Sequence, residues 1–285
     1  MREMSEMQEK IEYSIALIRK AEKLAIAMNQ EGFWVGFSGG KDSQALLQLV
    51  KMAGVRYKAY YSVTTNDPPP NVYFIRQHYP DVVFLHPKQN FFKLVEKNGL
   101  PRMIYRFCCA ILKEGAGAGY AVLTGVRAEE SRKRAKYDEV KIYSNRKEHK
   151  EHTNTRTIEE IEENEHRCIR GKDKLMIYPL LRWTESDVWQ FLHEQGLPTN
   201  PCYKQTGRVG CMFCPFSSKK QIEYYEQQFP LFKRNLLKSL EIFLKNNTSS
   251  LIKEFSTPEE YFEWWKTKQK IKNYKAKKQQ LEMEF

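Results

Sequence analysis

The sequence predicts an α/β fold built on a parallel sheet, with a helical C-terminal extension. Short apolar runs alternate with segments of helical periodicity, a glycine turn separates the first such run from the helix that follows it, and beyond about residue 221 only helical patterns remain. Strands joined through helices pair in parallel, and a parallel sheet is covered on both faces.

Residues 5–29 place Met7, Ile11, Ile15, Ile18 and Met28 at helical spacing among charged side chains and predict one amphipathic helix. Phe33-Trp34-Val35-Gly36-Phe37 fits a buried strand, and Gln44 to Met52 resumes helical periodicity with Gly54 placed to end it. Arg56 to Val63 reads as a second strand, Pro68-Pro69-Pro70 interrupts the chain, and Val72 to His78 as a helix. Val82 to Leu85 supplies a third strand, Phe91 to Lys97 a helix, and Tyr120 to Leu123 a strand ahead of Thr124-Gly125. From about 144 to 174 the composition turns polar, which predicts a long surface excursion. Thr184-Glu185-Ser186-Asp187, followed by Val188, Trp189, Phe191 and Leu192, has the form of a capped helix. The resulting plan is an N-terminal helix over 1–30, a main domain over 31–220 that contains the polar insertion, and a helical, basic region over 221–285.

Composition narrows the function classes. A chain of 285 residues with 41% hydrophobic content can bury a substantial core. No apolar run approaches the roughly 20 residues of a membrane helix, and the charged N-terminus lacks a signal-peptide core, so a cytoplasmic location without a membrane partner is expected. In such a compartment the six cysteines point to metal or redox roles ahead of disulfides. A formal charge of +12 attracts polyanions, nucleic acid among them.

The loop Ser38-Gly39-Gly40-Lys41-Asp42-Ser43 follows the first strand and opens a helix. Its glycines let successive amides face phosphate oxygens, and the helix N-terminus offers its positive dipole end to the same anion. Lys41 adds a mobile charge, Asp42 starts the helix and is a candidate for holding a divalent cation, and Ser38 and Ser43 can donate hydrogen bonds. The spacing is not that of a Walker A loop. A plain glycine turn before a helix is the alternative.

These residues resemble the loop of the adenine nucleotide α-hydrolase (PP-loop) superfamily, and within it the phosphoadenosine phosphosulfate (PAPS) reductase family. Thr124-Gly125-Val126-Arg127 with Glu130, Ser131 and Arg134 resembles that family's second phosphate-facing motif. Tyr178-Pro179-Leu180, Trp183-Thr184 and Asp187-Val188-Trp189 resemble its third. The resemblance covers roughly residues 30 to 220 and implies a Rossmann-like adenine nucleotide α-hydrolase fold. Arg127 and Arg134 suit bidentate phosphate contacts, with surface pairs to Glu129 or Glu130 as the alternative. Thr64, Thr65 and Asp67 stand where the family lines its nucleotide site, or else form a turn before the prolines. On this reading Lys41, Asp42 and Arg127 are the catalytic candidates, while Ser38, Gly39, Gly40, Ser43, Thr64, Gly125 and Arg134 join them in holding the nucleotide.

Cys202, Cys211 and Cys214 lie close in sequence, and Cys108-Cys109 offers a further ligand. The set Cys108, Cys202, Cys211 and Cys214, with Cys109 as an alternative ligand, resembles the four-cysteine iron-sulfur site of the phosphorothioate DNA-modification branch. The adjacent pair with Cys211 and Cys214 instead resembles the cluster of adenylylsulfate reductases. A [4Fe-4S] cluster is the reading the family implies, tetrahedral zinc suits four thiolates equally in kind, and unliganded buried cysteines are the plain alternative. Cys168 stands apart as a lone thiol, and His149 and His152 could share a helix face.

True reductases of this family attack sulfur with a cysteine in a C-terminal Glu-Cys-Gly motif, and here no cysteine follows Cys214. The expected chemistry therefore shifts to ATP with Mg2+: cleavage between the α and β phosphates, adenylating an acceptor for sulfur transfer. A sulfur-donor protein is an expected partner. The lysines at 266, 268, 270, 272, 275, 277 and 278, beside Trp264, Trp265 and Tyr274, make DNA or RNA the expected acceptor, with a solvated helix face as the alternative. A PAPS or adenylylsulfate reductase and a non-catalytic nucleotide-binding module are the competing readings.

Overall fold

A computed structural model describes residues 5–143, 158, 173–247, 249–253, 255–271 and 273–274. These residues belong to two compact units. The first comprises Met1–Ser62, Pro69–Leu85 and Gly115–Val209, and the second Val63–Pro68, His86–Glu114 and Gly210–Phe285. Most of the polar excursion, with Cys168, His149 and His152, lies outside the described residues, as do Lys272, Lys275, Lys277 and Lys278.

Helices α1 (Glu6–Lys20) and α2 (Glu22–Met28) open the first unit. Residues 5–29 are thus not the single helix that their periodicity predicts. The break falls at Ala21, fully buried, whose N–H turns back to the carbonyls of Leu17 and Arg19, and no glycine or proline marks it. The Ser5 side chain caps α1 by accepting from Gln8 N at 3.2 Å.

The sheet contains β1 (Phe33–Gly36), β2 (Tyr57–Ser62), β3 (Val83–Leu85), β4 (Ala121–Leu123), β5 (Val140–Tyr143) and β6 (Lys174–Ile177), in spatial order β3-β2-β1-β4-β6-β5. All pairings are parallel except the edge strand β5, which runs antiparallel to β6 with Val140 opposite Ile177. Neither β5 nor β6 shows in the apolar pattern. The latter begins at Lys174, which is buried because its ammonium reaches the Ala116 carbonyl.

Helix α3 (Lys41–Ala53) links β1 to β2 and ends at Gly54, φ +69°, as its sequence predicts. Helix α4 (Pro69–His78) precedes β3. Phe33, Val35, Leu46, Leu49, Ile75 and Phe191 are buried in this unit, each contributing about 1.5–3 kcal/mol of apolar burial. The loops after β1 and β4 leave the carboxyl ends of neighbouring central strands, where open α/β sheets bind ligands.

The second unit holds α5 (Phe91–Asn98) and α6 (Phe107–Leu112). Between β6 and the unit's later helices, the chain first adds α7 (Glu185–Glu194) and α8 (Cys202–Thr206) to the first unit. Helices α9 (Lys219–Gln228), α10 (Pro230–Asn246), α11 (Ser250–Lys253) and α12 (Pro258–Thr267) follow. Its core is aromatic: Phe91, Phe213, Tyr225, Phe243, Phe255, Phe262 and Trp265 form one cluster with Leu236 and Leu240. Among the described residues no helix is long and apolar enough to cross a membrane.

Candidate functional site

The candidate site begins where β1 stops. Ser38, Gly39 and Gly40 turn the chain so that α3 starts at Lys41. Gly39 has φ +76°, and a Cβ there would lie 2.4 Å from Asn71 Oδ1, so both conformation and space require glycine. The two serines close the loop on itself. Ser43 Oγ donates to Gly40 O at 2.8 Å and accepts from Ser38 N at 3.1 Å, while Gly40 N donates to Ser38 Oγ at 3.3 Å.

Three residues that motif reading misses hold this loop from outside. Asn200, wholly buried, donates to Gly39 O at 2.9 Å and to Asn71 Oδ1 at 2.7 Å, and accepts from Cys202 N at 3.0 Å. Asn71 passes the tie to Ser38 O at 3.2 Å. The Tyr203 hydroxyl accepts from Lys41 N at 2.8 Å, so a side chain occupies the first helical amide that an anion would use. Burial pushes the Tyr203 phenol up to about 12, so this hydroxyl keeps its proton at neutral pH. The signals available were Asn200-Pro201, a turn dipeptide, and the proline run before Asn71; neither indicates a partner.

Lys41 and Arg127 meet on one carboxylate. Arg127 Nε donates to Asp42 Oδ1 at 2.6 Å, Lys41 Nζ lies 3.2 Å from Asp42 Oδ2, and both cations are buried. Glu129 takes the second arm of Arg127 at 2.6 Å, and Glu185 approaches Lys41 at 3.3 Å. Burial works against the Arg127 charge, but Asp42, Glu129 and Glu130 outweigh it and raise its pKa. Gly125 allows this approach, since a Cβ there would stand 2.7 Å from the Asp42 carbonyl oxygen. Beside it, Thr124 Oγ1 is buried with no hydrogen-bond partner among the described residues. Arg134 is half-exposed and paired with Glu130, the surface arrangement named above as its alternative.

The third motif has a supporting position. Trp183 Nε1 donates to Ser14 Oγ at 3.0 Å, Ser14 Oγ donates to Pro179 O at 2.8 Å, and Lys10 reaches Asp187 at 2.9 Å, so the motif anchors α1. Asp187 also completes the capping box of α7 with Thr184.

Thr64 and Asp67 belong to the second unit. There Asp67 accepts from Thr64 N at 2.7 Å and from its hydroxyl at 2.8 Å, and Asn66 O accepts from Met212 N at 2.9 Å. The turn thus frames the Cys211–Cys214 loop, with Thr64 Oγ1 3.6 Å from Cys211 Sγ. Thr65 takes φ +56° and accepts from Phe91 N at 2.7 Å.

Cys108, Cys109, Cys211 and Cys214 share this unit, whereas Cys202 belongs to the first, where burial pushes its thiol up to about 11. A hydrogen bond from Cys108 holds Cys109 below the usual thiol range, and Lys113 and Arg106 act in the same direction. Cys108 is correspondingly raised, by that bond, by burial and by the neighbouring thiols of Cys109, Cys211 and Cys214. Desolvation opposes the Lys113 charge, and Cys211 and Asp67 more than restore it, so its pKa is raised. Among the described residues, however, no three His, Cys, Asp or Glu side chains are drawn together as a metal site. The donors suit a thiolate-bound centre in kind, but the geometry does not assemble one.

In the C-terminal region Trp264 and Trp265 are buried, their indole N–H groups donating to Gln269 O at 3.0 Å and Pro101 O at 2.7 Å. Lys266 is paired with Glu226 at 3.0 Å and Glu263 at 2.6 Å. These tryptophans belong to the aromatic core.

The phosphoadenosine phosphosulfate reductase domain family matches residues 32–217. An uncharacterized protein of Methanocaldococcus jannaschii is 22% identical over 222 residues, covering 76% of this chain and 49% of that protein. Sulfate adenylyltransferase subunit 2 of a Sulfurovum species is 31% identical over 94 residues, 32% of this chain and 30% of that protein. The chain thus spans about half the length of the first of these relatives and under a third of the second. Among solved structures, the U34-tRNA thiolase NcsA of Methanococcus maripaludis with its [4Fe-4S] cluster is 15% identical at a TM-score of 0.43, covering 85% of this chain and 82% of that one.

Proposed function

This chain belongs to the phosphoadenosine phosphosulfate reductase domain family, and we propose that it is an ATP pyrophosphatase that adenylates an acceptor for sulfur transfer. The observation that carries the reading is the meeting of Lys41 and Arg127 on Asp42 at the first turn of α3. Two buried cations beside loop amides and a helix N-terminus make a preorganised environment for the charge that develops on a leaving pyrophosphate. The acceptor oxygen attacks the α-phosphorus, the bond to the oxygen bridging to the β-phosphorus breaks, pyrophosphate leaves with that electron pair, and the acceptor hydroxyl proton passes to solvent. Thr124 Oγ1, buried without a partner among the described residues, is the group best placed in chemistry to receive a ligand atom beside Gly125. Magnesium would neutralise phosphate charge; Asp42 is its candidate ligand, but both carboxylate oxygens already hold cations.

A basic polynucleotide-binding protein fits the net charge of +12, so DNA or RNA is the proposed acceptor and a cytoplasmic sulfur-donor protein the proposed partner. For the cysteines we retain the family-implied reading of a [4Fe-4S] cluster, with zinc as the alternative, on the set within one unit, the adjacent pair Cys108 and Cys109 with Cys211 and Cys214. No catalytic step is assigned to it. Absorbance near 400 nm after anaerobic purification, with metal analysis, separates iron from zinc and from bare thiols. The function is tested by incubating the protein with ATP, magnesium and candidate polynucleotides. Pyrophosphate release, lost on Lys41→Ala, is expected; phosphate alone, or sulfite from a sulfonucleotide with a thiol reductant, would overturn it.

A further inference from the structure

One surface of the second unit sets exposed apolar side chains beside a basic cavity at the edge of the aromatic core. Arg102 and Tyr105 exchange backbone hydrogen bonds of 3.1 and 3.0 Å and close a two-residue turn that pushes Met103 and Ile104 outward. Ile104 is 94% exposed, and Met103, Tyr105 and Phe216 are each about half exposed. A rigid turn holding an isoleucine in water, beside other exposed apolar groups, marks a contact surface. Adjoining it is a cavity of about 800 Å³ whose walls include Ile104, Pro215 and Trp264 and whose cations are Arg102, Lys268 and Lys270. Among the described residues no aspartate or glutamate lines it. Nearby, the Arg106 guanidinium lies 5.2 Å from the centre of the Phe216 ring, a cation stacked on a half-exposed aromatic.

Charge follows the same pattern. The second unit carries 20 of the 47 basic and 12 of the 35 acidic residues, and so +8 of the net +12.

We propose that this surface binds an unpaired nucleic-acid strand, with a base inserted against Ile104 and Phe216 and the neighbouring phosphates held by Arg102, Lys268 and Lys270. An apolar wedge, an Arg-aromatic stack and a basic cavity match the two chemistries that a single strand offers together, exposed π-faces and a polyanionic backbone. A duplex hides its base faces. Lys268 Nζ donates to the Ser217 carbonyl at 2.6 Å, which holds its ammonium beside the cavity. The aromatic contact expected of Trp264 and Trp265, which are buried, thus passes to the turn and to Phe216. The inference rests on the polynucleotide acceptor proposed above, but it does not depend on the ATP chemistry.

The test is fluorescence anisotropy of the full chain with labelled single strands of about 20 nucleotides, DNA and RNA, and the matching duplexes. Ile104→Asp is expected to weaken single-strand binding by about tenfold or more, with melting temperature and pyrophosphate release in the absence of polynucleotide unchanged. Lys270→Glu is expected to weaken binding and reduce its dependence on salt. Wild-type binding that both variants leave intact would overturn the surface and spare the acceptor reading. No polynucleotide binding by the wild type would overturn both, and binding of duplex alone would overturn the single-strand surface and spare the acceptor reading. Self-association that Ile104→Asp abolishes, with strand binding unaffected, would assign the face to a second copy of the chain and refute the proposal.

Discussion

Replacing Asn200 by alanine probes whether the loop is held from outside or holds itself. The substitution removes donors to Gly39 O and Asn71 Oδ1 and the acceptor for Cys202 N, at 2.9, 2.7 and 3.0 Å, from a side chain with no solvent exposure. Gly39 O keeps a 3.3 Å bond from Gln44, so its loss is partial. Asn71 Oδ1 and Cys202 N lose these partners, at about 1–3 kcal/mol for each buried group left unpaired. The expected cost is about 2–6 kcal/mol, or roughly 3–10 °C in Tm for a chain of this size. Gly39, at φ +76°, loses its strongest anchor, so ATP-analogue affinity should also fall by about tenfold, one lost orienting interaction of about 1.4 kcal/mol. Urea denaturation followed by circular dichroism and calorimetric titration with a non-hydrolysable analogue read the two effects. Asn200→Asp is the sharper control: it retains an acceptor for Cys202 N but sets a carboxylate against two acceptor oxygens and should bind the analogue more weakly than the alanine variant. A stability change within about 0.5 kcal/mol, with unaltered binding, would refute external support of the loop.

Further outcomes follow from the same geometry. Tyr203→Phe frees the Lys41 amide that the phenol now occupies and should tighten ATP-analogue binding by about fivefold, one neutral hydrogen bond of about 1 kcal/mol, read by titration calorimetry. Gly125→Ala sets a methyl 2.7 Å from the Asp42 carbonyl, against backbone, and should cost about 1–3 kcal/mol by thermal melting and depress pyrophosphate release. Asp187 has a folded pKa below its usual value: burial opposes the shift, but Lys10 and Thr184 outweigh it. Its stabilisation is therefore present above the unfolded pKa of 3.8 and is lost as pH falls through the folded value. Asp187→Asn should cost about 1 kcal/mol at neutral pH and flatten the acid limb of a Tm–pH curve; an unchanged limb would contradict the ion pair with Lys10.

The loop was legible because its instructions are local. Gly39, Gly40 and Lys41 must be adjacent for a strand to turn sharply into a helix, and Gly54 ends that helix where φ turns positive. The supports were not legible, because Asn71, Asn200 and Tyr203 reach the loop from distant positions and each is an ordinary turn or core residue until the chain folds. The α1–α2 break was hidden for another reason: Ala21 is a good helix former, and packing alone decides its place. Tryptophans beside lysines suggested stacking, yet composition does not tell a buried indole from an exposed one.

The second unit is assembled from three separate stretches of chain, and that affects its synthesis. Phe91, Val95 and Leu100 emerge early, but most residues of the cluster they join lie beyond Gly210. At about 5–20 residues per second, the roughly 95 residues between Glu114 and Gly210 leave that apolar face unsatisfied for about 5–20 s on each ribosome. The first unit has all its strands by Ile177 and can condense while its companion waits. Chaperone demand should therefore concentrate on residues 86–114, and a chain shortened before Pro258 would lose Tyr261, Phe262, Trp264 and Trp265, leaving this nascent half with no finished state to reach.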